Sequence, residues 1–208
     1  MNNIERKKLN ELRKLVLAKV SYSRFNHTIA VEQQAVLLAK IHGCSEFKAA
    51  TAAILHDLTK EMKPNDQLAI ISKSELNFDS DELVSPPLWH SVAAAAYAQD
   101  NLGIKDKDVI NAIHYHTSGR AEMSLLEKVI LVADTTSADR NYFGVAELRN
   151  LAETSLERVI FECSKTNIIN LARKKRHISC NTIETYRYYL EQLALQPSLV
   201  SISSEMAG

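Results

Sequence analysis

Cysteine is scarce in this 208-residue chain: Cys44, Cys163 and Cys180 are scattered, odd in number and without C-x-x-C spacing. That pattern excludes a disulfide framework and a cysteine-built zinc knuckle. Neither G-x-x-x-x-G-K-[ST] nor G-x-G-x-x-G occurs, so no phosphate cradle of those two kinds is present. No apolar stretch of the signal-peptide kind follows Arg6-Lys7-Lys8, and the alanine-rich run from Val92 to Ala98 is too short and interrupted to span a bilayer. Charge of one sign is lacking too. Lys+Arg and Asp+Glu balance at 25 each, so no net field draws the protein to a nucleic-acid polymer or an acidic membrane. The cluster Arg173-Lys174-Lys175-Arg176 reads as a solvated helix C-terminus, where cations suit the dipole. These absences place the chain in a reducing cytoplasm.

Glycine and proline are few, five and four, and most segments repeat apolar residues at three-to-four spacing. The fold class predicted is all-α, a compact helical bundle. With 46% hydrophobic residues the chain can bury one substantial core. One domain is expected over 1–196, with a core over about 22–140, C-terminal helices over about 145–196 and a frayed tail at 197–208. Leu9, Leu12, Leu15 and Val16 trace a first helix, and Ser23 is the expected cap of a second from about Arg24 to His42, closed by Gly43. Ser45 starts a third, carrying Ala49 to Lys60. A short helix follows near Asp66–Ser72, and Pro86-Pro87 opens one from Leu88 to Leu102. Asp106–His116 is the next. Capping boxes are expected at Ser124/Glu127, Thr154/Glu157 and Asn181/Glu184, the first for Leu125–Thr135.

The chemistry lies in polar residues set among apolar ones. His56-Asp57 ends the run Ala-Ala-Thr-Ala-Ala-Ile-Leu, where burying an imidazole beside a carboxylate is costly without compensation. His27 lies among Ala30, Val31 and Ala35, and His90 follows Trp89 in the Pro-Pro-initiated helix. His116 precedes Thr117-Ser118-Gly119, and Asp134 closes Val129-Ile130-Leu131-Val132-Ala133. Singly, each is as readily a hydrogen-bonded core residue. Together they are six metal-competent groups at the inner ends of five helices, too many for unrelated buried polar accidents. Imidazoles and carboxylates without thiolate suit borderline cations such as iron, manganese, cobalt or zinc. Asp57 is the expected bridge between two ions roughly 3.5–4 Å apart.

In that order, His27, His56-Asp57 and Asp134 resemble the HD-domain superfamily of metal-dependent phosphohydrolases, and His90 and His116 resemble its two-metal members. The chain is most similar to the YqeK family of bacterial symmetrical dinucleoside-tetraphosphatases. The similarity is carried by Ser23–His27, Ala53–Lys60, Leu88–Ala93, Ala112–Arg120, Met123–Lys128, Ala133-Asp134, Arg140 and Gly144–Arg149. It implies an HD-domain bundle, metal ligands at His27, His56, Asp57, His90, His116 and Asp134, and diadenosine tetraphosphate as substrate, cut to two ADP. The resemblance breaks over Thr135–Asp139, where the family carries Ile-Glu-Pro before the arginine; Asp139 is the acidic residue left to stand in. His114 occupies a place the family gives to a basic residue. A role behind the ligands or at the substrate edge stands against that of a helix-surface histidine. His42 and His177 are expected on the surface.

Polyphosphate hydrolysis needs a nucleophile at neutral pH and positive charge around the phosphoryl group. The expected mechanism is in-line attack of metal-bound hydroxide on a chain phosphorus, with Asp57 and Lys60 as catalytic residues. Arg24, Lys60, Arg120 and Arg140 are candidate phosphate cations, each as readily a surface charge; Thr117 and Gly119 offer donors and close backbone approach. Tyr115, Trp89 and Tyr142 could stack on a base or lie in the core. The partners expected are a dinucleoside polyphosphate or another nucleotide, with a homodimer as the assembly to consider. Two rival readings are an HD-type nucleotidase or phosphodiesterase for another nucleotide, and a non-catalytic nucleotide-sensing protein. A third, a helical interaction domain with buried hydrogen-bonded histidines, expects metal-free protein.

Overall fold

The computed structural model describes residues 1–76 and 78–195; the tail expected at 197–208 lies outside them. Among the described residues there are eleven α-helices and one 3-10 helix: α1 (Asn3–Leu17), α2 (Tyr22–His42), α3 (Glu46–Leu55), α4 (Pro64–Ile71), α5 (Ser80–Leu83), the 3-10 turn Pro86–Leu88, α6 (Trp89–Asp100), α7 (Lys107–His114), α8 (Leu125–Thr136), α9 (Val145–Ala152), α10 (Leu156–Arg173) and α11 (Cys180–Ala194). The all-α expectation holds.

At the centre α2 packs on α3 and α8, and α7 packs on α3, α6 and α8. Small side chains make this close approach workable. Ala49, Ala50, Ala52 and Ala53 of α3 and Ala93 to Ala96 of α6 are fully buried. Leu38, Ile54, Leu55 and Ile130 fill the space between helices, and each removes apolar surface worth about 1.5–3 kcal/mol from water. On the far side of α8 lie α9 and α10, and α11 packs along α10.

Several boundaries differ from expectation by a residue or more. Ser21 caps α2 in place of Ser23, Ser155 caps α10 in place of Thr154, and Ser179 caps α11 in place of Asn181. Ser45 and the Ser124/Glu127 box cap α3 and α8 as expected. The largest difference is at α3, which stops at Leu55 and does not continue to Lys60. Tight turns replace it: Leu58 donates to the Leu55 carbonyl, Lys60 to Asp57 and Met62 to Thr59, at 3.2, 3.0 and 3.0 Å. Tertiary bonds hold this course, since the Thr59 hydroxyl donates to the His90 carbonyl at 2.6 Å and Gln67 donates to the Thr59 carbonyl at 2.9 Å.

Candidate metal centre

Five segments converge: His27 from α2, His56 and Asp57 from the end of α3, His90 from the first turn of α6, His116 from the turn after α7, and Asp134 from the last turn of α8. All four histidines and Asp57 are buried. Their ring orientations share one local cause. The Nδ1 atoms of His56, His90 and His116 lie 2.7, 2.8 and 2.8 Å from the carbonyl oxygens of Ala53, Pro87 and Ile113, each three residues earlier. A carbonyl only accepts, so each Nδ1 carries the proton and donates it. His27 Nδ1 lies 2.7 Å from Asp139 Oδ2, the same arrangement with a carboxylate as acceptor. Four imidazoles held this way turn four Nε2 atoms inward, each of which offers a lone pair in the Nδ1–H tautomer.

Those lone pairs meet other electron-rich atoms. His27 Nε2 is 3.0 Å from Asp134 Oδ1, and His90 Nε2 is 3.4 Å from His116 Nε2. Asp57 lies between two pairs of rings. Its Oδ2 is 3.5 Å from His56 Nε2 and 4.0 Å from His27 Nε2. Its Oδ1 is 3.4 Å from His90 Nε2 and 3.6 Å from His116 Nε2. Among the described residues, His27 Nε2, His56 Nε2 and Asp57 Oδ1 are buried without a hydrogen-bond partner. Acceptors crowded together and unpaired are costly unless a cation lies among them. The donor set of imidazole nitrogen and carboxylate oxygen fits a divalent metal. Two groupings, His27/His56/Asp134 and His56/Asp57/His116, hold their donor atoms within 4.8 Å of one another.

Electrostatics follow from the same crowding. Burial alone would raise Asp134 and Asp57, but the His27 contact and the fields of His56 and Arg140 hold Asp134 far below the usual range. The fields of His56 and His116 do the same for Asp57. Burial, reinforced by His116 and Lys60, pushes His90 well below the ordinary imidazole value. The carboxylates are thus held ionised and the His90 ring neutral, the forms a metal ligand needs, whereas at His56 burial is outweighed by the fields of Asp57 and Asp134, which raise it.

The expected phosphate contacts divide. Arg24 Nη1 donates to Asp57 Oδ2 at 2.7 Å, Arg140 pairs with Asp134 through Nη2, and Lys60 Nζ lies 3.0 Å from His90 Nε2. The Thr117 hydroxyl is 3.2 Å from His90 Nε2. These four stand at the cluster. Arg120 does not: its guanidinium forks onto Glu127 at 2.9 and 3.0 Å and lies over the Tyr115 ring. Gly119 also has another task. Its φ is +65°, and a Cβ there would come within 2.7 and 2.9 Å of the Thr185 side chain, so the glycine accommodates α11.

His114 is buried, with Nε2 2.9 Å from Glu82 Oε1 of α5, which removes the helix-surface alternative. His42 is half-buried, with Nε2 donating to the Ala152 carbonyl at 2.7 Å, so its surface placement is corrected; His177 is exposed and pairs with Asp81. Two contributors had a weak signal or none. Asp139 was visible as an acidic residue but not as the partner of His27. Arg149 was visible only as the end of a quoted stretch, yet it donates to the carbonyls of Thr136, Ser137 and Arg140 at 2.9, 2.8 and 2.6 Å and pins the turn carrying Asp139.

Comparison with known proteins adds the following. The HD domain family matches residues 24–139. Symmetrical bis(5'-nucleosyl)-tetraphosphatases are similar over nearly their whole length. That of Halalkalibacterium halodurans is 37% identical over 180 residues, covering 85% of this chain and 94% of the relative. That of Bacillus subtilis is 36% identical, covering 83% and 92%, and that of Staphylococcus aureus is 33% identical, covering 87% and 94%. A solved structure from Clostridium acetobutylicum, described as a predicted HD superfamily hydrolase involved in NAD metabolism, superposes with a TM-score of 0.84 at 30% identity, covering 88% of this chain and 97% of that one.

Proposed function

The chain belongs to the HD-domain family, and from that membership we propose that it is a metal-dependent hydrolase cutting diadenosine tetraphosphate symmetrically into two ADP. The substrate is that of the similar tetraphosphatases; the observation that carries the chemistry is Asp57, whose two oxygens face two different pairs of inward Nε2 atoms. That arrangement supports a two-ion centre with Asp57 as the bridge. His27, His56 and Asp134 would hold one ion and His90 and His116 the other, iron foremost, with manganese, cobalt or zinc as alternatives. Bound divalent ions supply Lewis acidity toward water and phosphoryl oxygens.

The remaining roles belong to this chain's own side chains. Arg24 and Arg140 place guanidinium groups beside the two carboxylates, where the phosphate chain's negative charge would enter. Thr117 offers a hydroxyl donor at the same mouth. Burial lowers the pKa of Lys60 against the pull of Asp57. Its Nζ is therefore readier than an exposed lysine to give a proton to the oxygen of the departing nucleoside diphosphate. Asp139 keeps His27 in the Nδ1–H tautomer. Among the described residues no helix is long and apolar enough to cross a membrane, and the free, scattered cysteines suit the cytoplasm.

The test is elemental analysis of purified wild type and Asp57→Ala, with chromatography of products from diadenosine tetraphosphate, AMP and cyclic dinucleotides. Wild type should carry metal and yield ADP from the first substrate. Asp57→Ala should lose metal and at least about 10³-fold in rate. Metal-free wild type, or an active and metal-free Asp57→Ala, would end this reading; preference for AMP or a cyclic dinucleotide would transfer the site to another nucleotide.

A further inference from the structure

The cluster divides into two halves around Asp57, and the halves are held from outside in different ways. Behind His27 stands a carboxylate, Asp139, 2.7 Å from Nδ1. His56 leans on the Ala53 carbonyl inside the ten-residue α3. Behind His90 and His116 stand the carbonyls of Pro87 and Ile113, each at 2.8 Å. A carbonyl aims a ring no better than the turn that carries it. The Pro87 turn is a 3-10 helix of three residues without a side-chain cap, and pieces so short do not hold their shape unaided. The Ile113 carbonyl belongs to the peptide unit that leads into His114, in the last turn of α7.

One side chain reaches both turns from behind. Glu82 of α5 is buried, and a buried carboxylate is costly unless polar partners meet it. The Asp79 N–H donates to its Oε2 at 3.1 Å, the Asn181 amide of α11 donates to Oε1 at 3.3 Å, and His114 Nε2 lies 2.9 Å from the same Oε1. The His114 ring is thereby anchored, with Tyr115 stacked on it at 4.1 Å between centroids. From the other end of α5 the chain runs into the Pro87 turn. The Ser85 N–H donates to the Glu82 carbonyl at 3.2 Å, the Leu88 N–H to Ser85 at 2.9 Å, and Trp89 Nε1 to the Leu83 carbonyl at 3.0 Å. A four-residue helix such as α5 is too short to stand alone, so its place is set by what its side chains reach. Asp81 adds outer ties at the start of α11, accepting from the Cys180 N–H at 2.7 Å and lying 2.8 Å from His177 Nε2. His177 is exposed, so that second tie contributes little. Glu82 is the inner anchor.

We propose that Glu82 is a positioning residue for the His90/His116 half of the cluster, resting on the two-ion reading above. Among the described residues its side-chain hydrogen bonds go to none of the six that converge there. It acts through His114 and the Ile113 carbonyl on one side, and through the Ser85–Leu88 turn and the Pro87 carbonyl on the other. Outer partners fix the tautomer and orientation of a ligating imidazole, and losing one costs about 10–100-fold in metal affinity. Each half of the cluster then has its own outer carboxylate, Asp139 for the half with His27 and Glu82 for the half with His116. The bond from Asn181 brings α11 into the second.

The test dialyses full-length, metal-loaded protein against graded chelator and reads metal per chain by elemental analysis. Glu82→Ala should weaken one of the two ions about tenfold or more and leave the other within about threefold, with helical circular dichroism retained. Glu82→Gln keeps the shape with a single acceptor oxygen and should weaken the same ion by a smaller factor. In His116→Ala, which already lacks a ligand of that ion, adding Glu82→Ala should change the affinity of the remaining ion by less than about threefold. Equal weakening of both ions by Glu82→Ala, no weakening of either, or a further tenfold-scale loss in the double variant overturns the proposal and leaves the two-ion reading intact. If Glu82→Ala does not fold, Glu82→Gln decides by the same criteria. If wild type holds fewer than two ions, the two-ion reading falls, and the imidazole nitrogen resonances of histidine-labelled protein judge the positioning. Glu82→Gln should then move those of His90 and His116 and leave those of His27 and His56 in place; no movement, or equal movement of all four, overturns it.

Discussion

Between Arg24 and Arg140 the four imidazoles of the cluster are fixed at both ends, Nδ1 by a carbonyl or by Asp139 and Nε2 by the space shared with Asp57 and Asp134. From Tyr142 onward the polar residues facing a cavity of about 900 Å³ between α8, α9, α10 and α11 are mostly amides and hydroxyls, with Glu162 as the one carboxylate among the described residues of that stretch. The first arrangement tolerates almost no displacement, since sub-ångström shifts of a ring change which atom faces a cation. The second depends on shape and hydrogen-bond pattern, which several side chains can satisfy. The first region is over-determined, and the second is adjustable.

The largest effect that can break this contrast is at Asp139. Asp139→Ala frees His27 Nδ1 and should cost about 10–100-fold in metal affinity, measured by chelator competition, with no loss of fold by circular dichroism. Metal affinity equal to wild type would show that His27 needs no outer partner. Next is the seam between the regions. Gly119→Ala should destabilise by about 2–4 kcal/mol in urea unfolding, through its positive φ and the contact with Thr185. Adding Thr185→Ala should recover the steric part and leave the backbone part; full additivity would separate the two regions there. A smaller effect belongs to the C-terminal region alone. Ser179→Ala removes the cap of α11 and should cost about 1 kcal/mol while leaving metal content unchanged. Altered metal content would tie α11 to the cluster more tightly than described.

The smallest effect is one of reactivity. Burial pushes the Cys163 thiol, on the cavity wall, up to about 12, so below that pH it stays protonated. Iodoacetamide at pH 8 should modify exposed Cys180 first and Cys163 last, read by peptide mass spectrometry. Cys163 reacting first would mean that the cavity wall opens readily.

The six residues that converge in the cluster were legible because each breaks an apolar pattern, and a polar break in a buried stretch demands a reason. The helices around them were legible from periodicity. The residues that orient the site were harder to see. Glu82 is 32 positions from His114, and Asp139 is 112 from His27, so no local pattern joins them. Arg120 looked like a phosphate contact because it follows a glycine turn; the capping residue Glu127, seen correctly as a helix start, takes it instead. Neighbouring hydroxyl and amide residues such as Ser21 and Ser23 are equally good caps in isolation, and packing chooses between them. The end of α3 was masked because no glycine or proline follows Leu55 before Pro64; the turns there are held by bonds of Thr59 and Gln67 that no local pattern shows.

The contact between Gly119 and Thr185 has a bearing on descent. The turn that presents His116 touches α11 there, at a residue without a side chain of its own. Substitutions elsewhere on α10 and α11 can reshape the cavity they line without pressing on that turn. A lineage could therefore pass on the cluster unaltered while the walls around that cavity drift, and Gly119 is where that freedom ends.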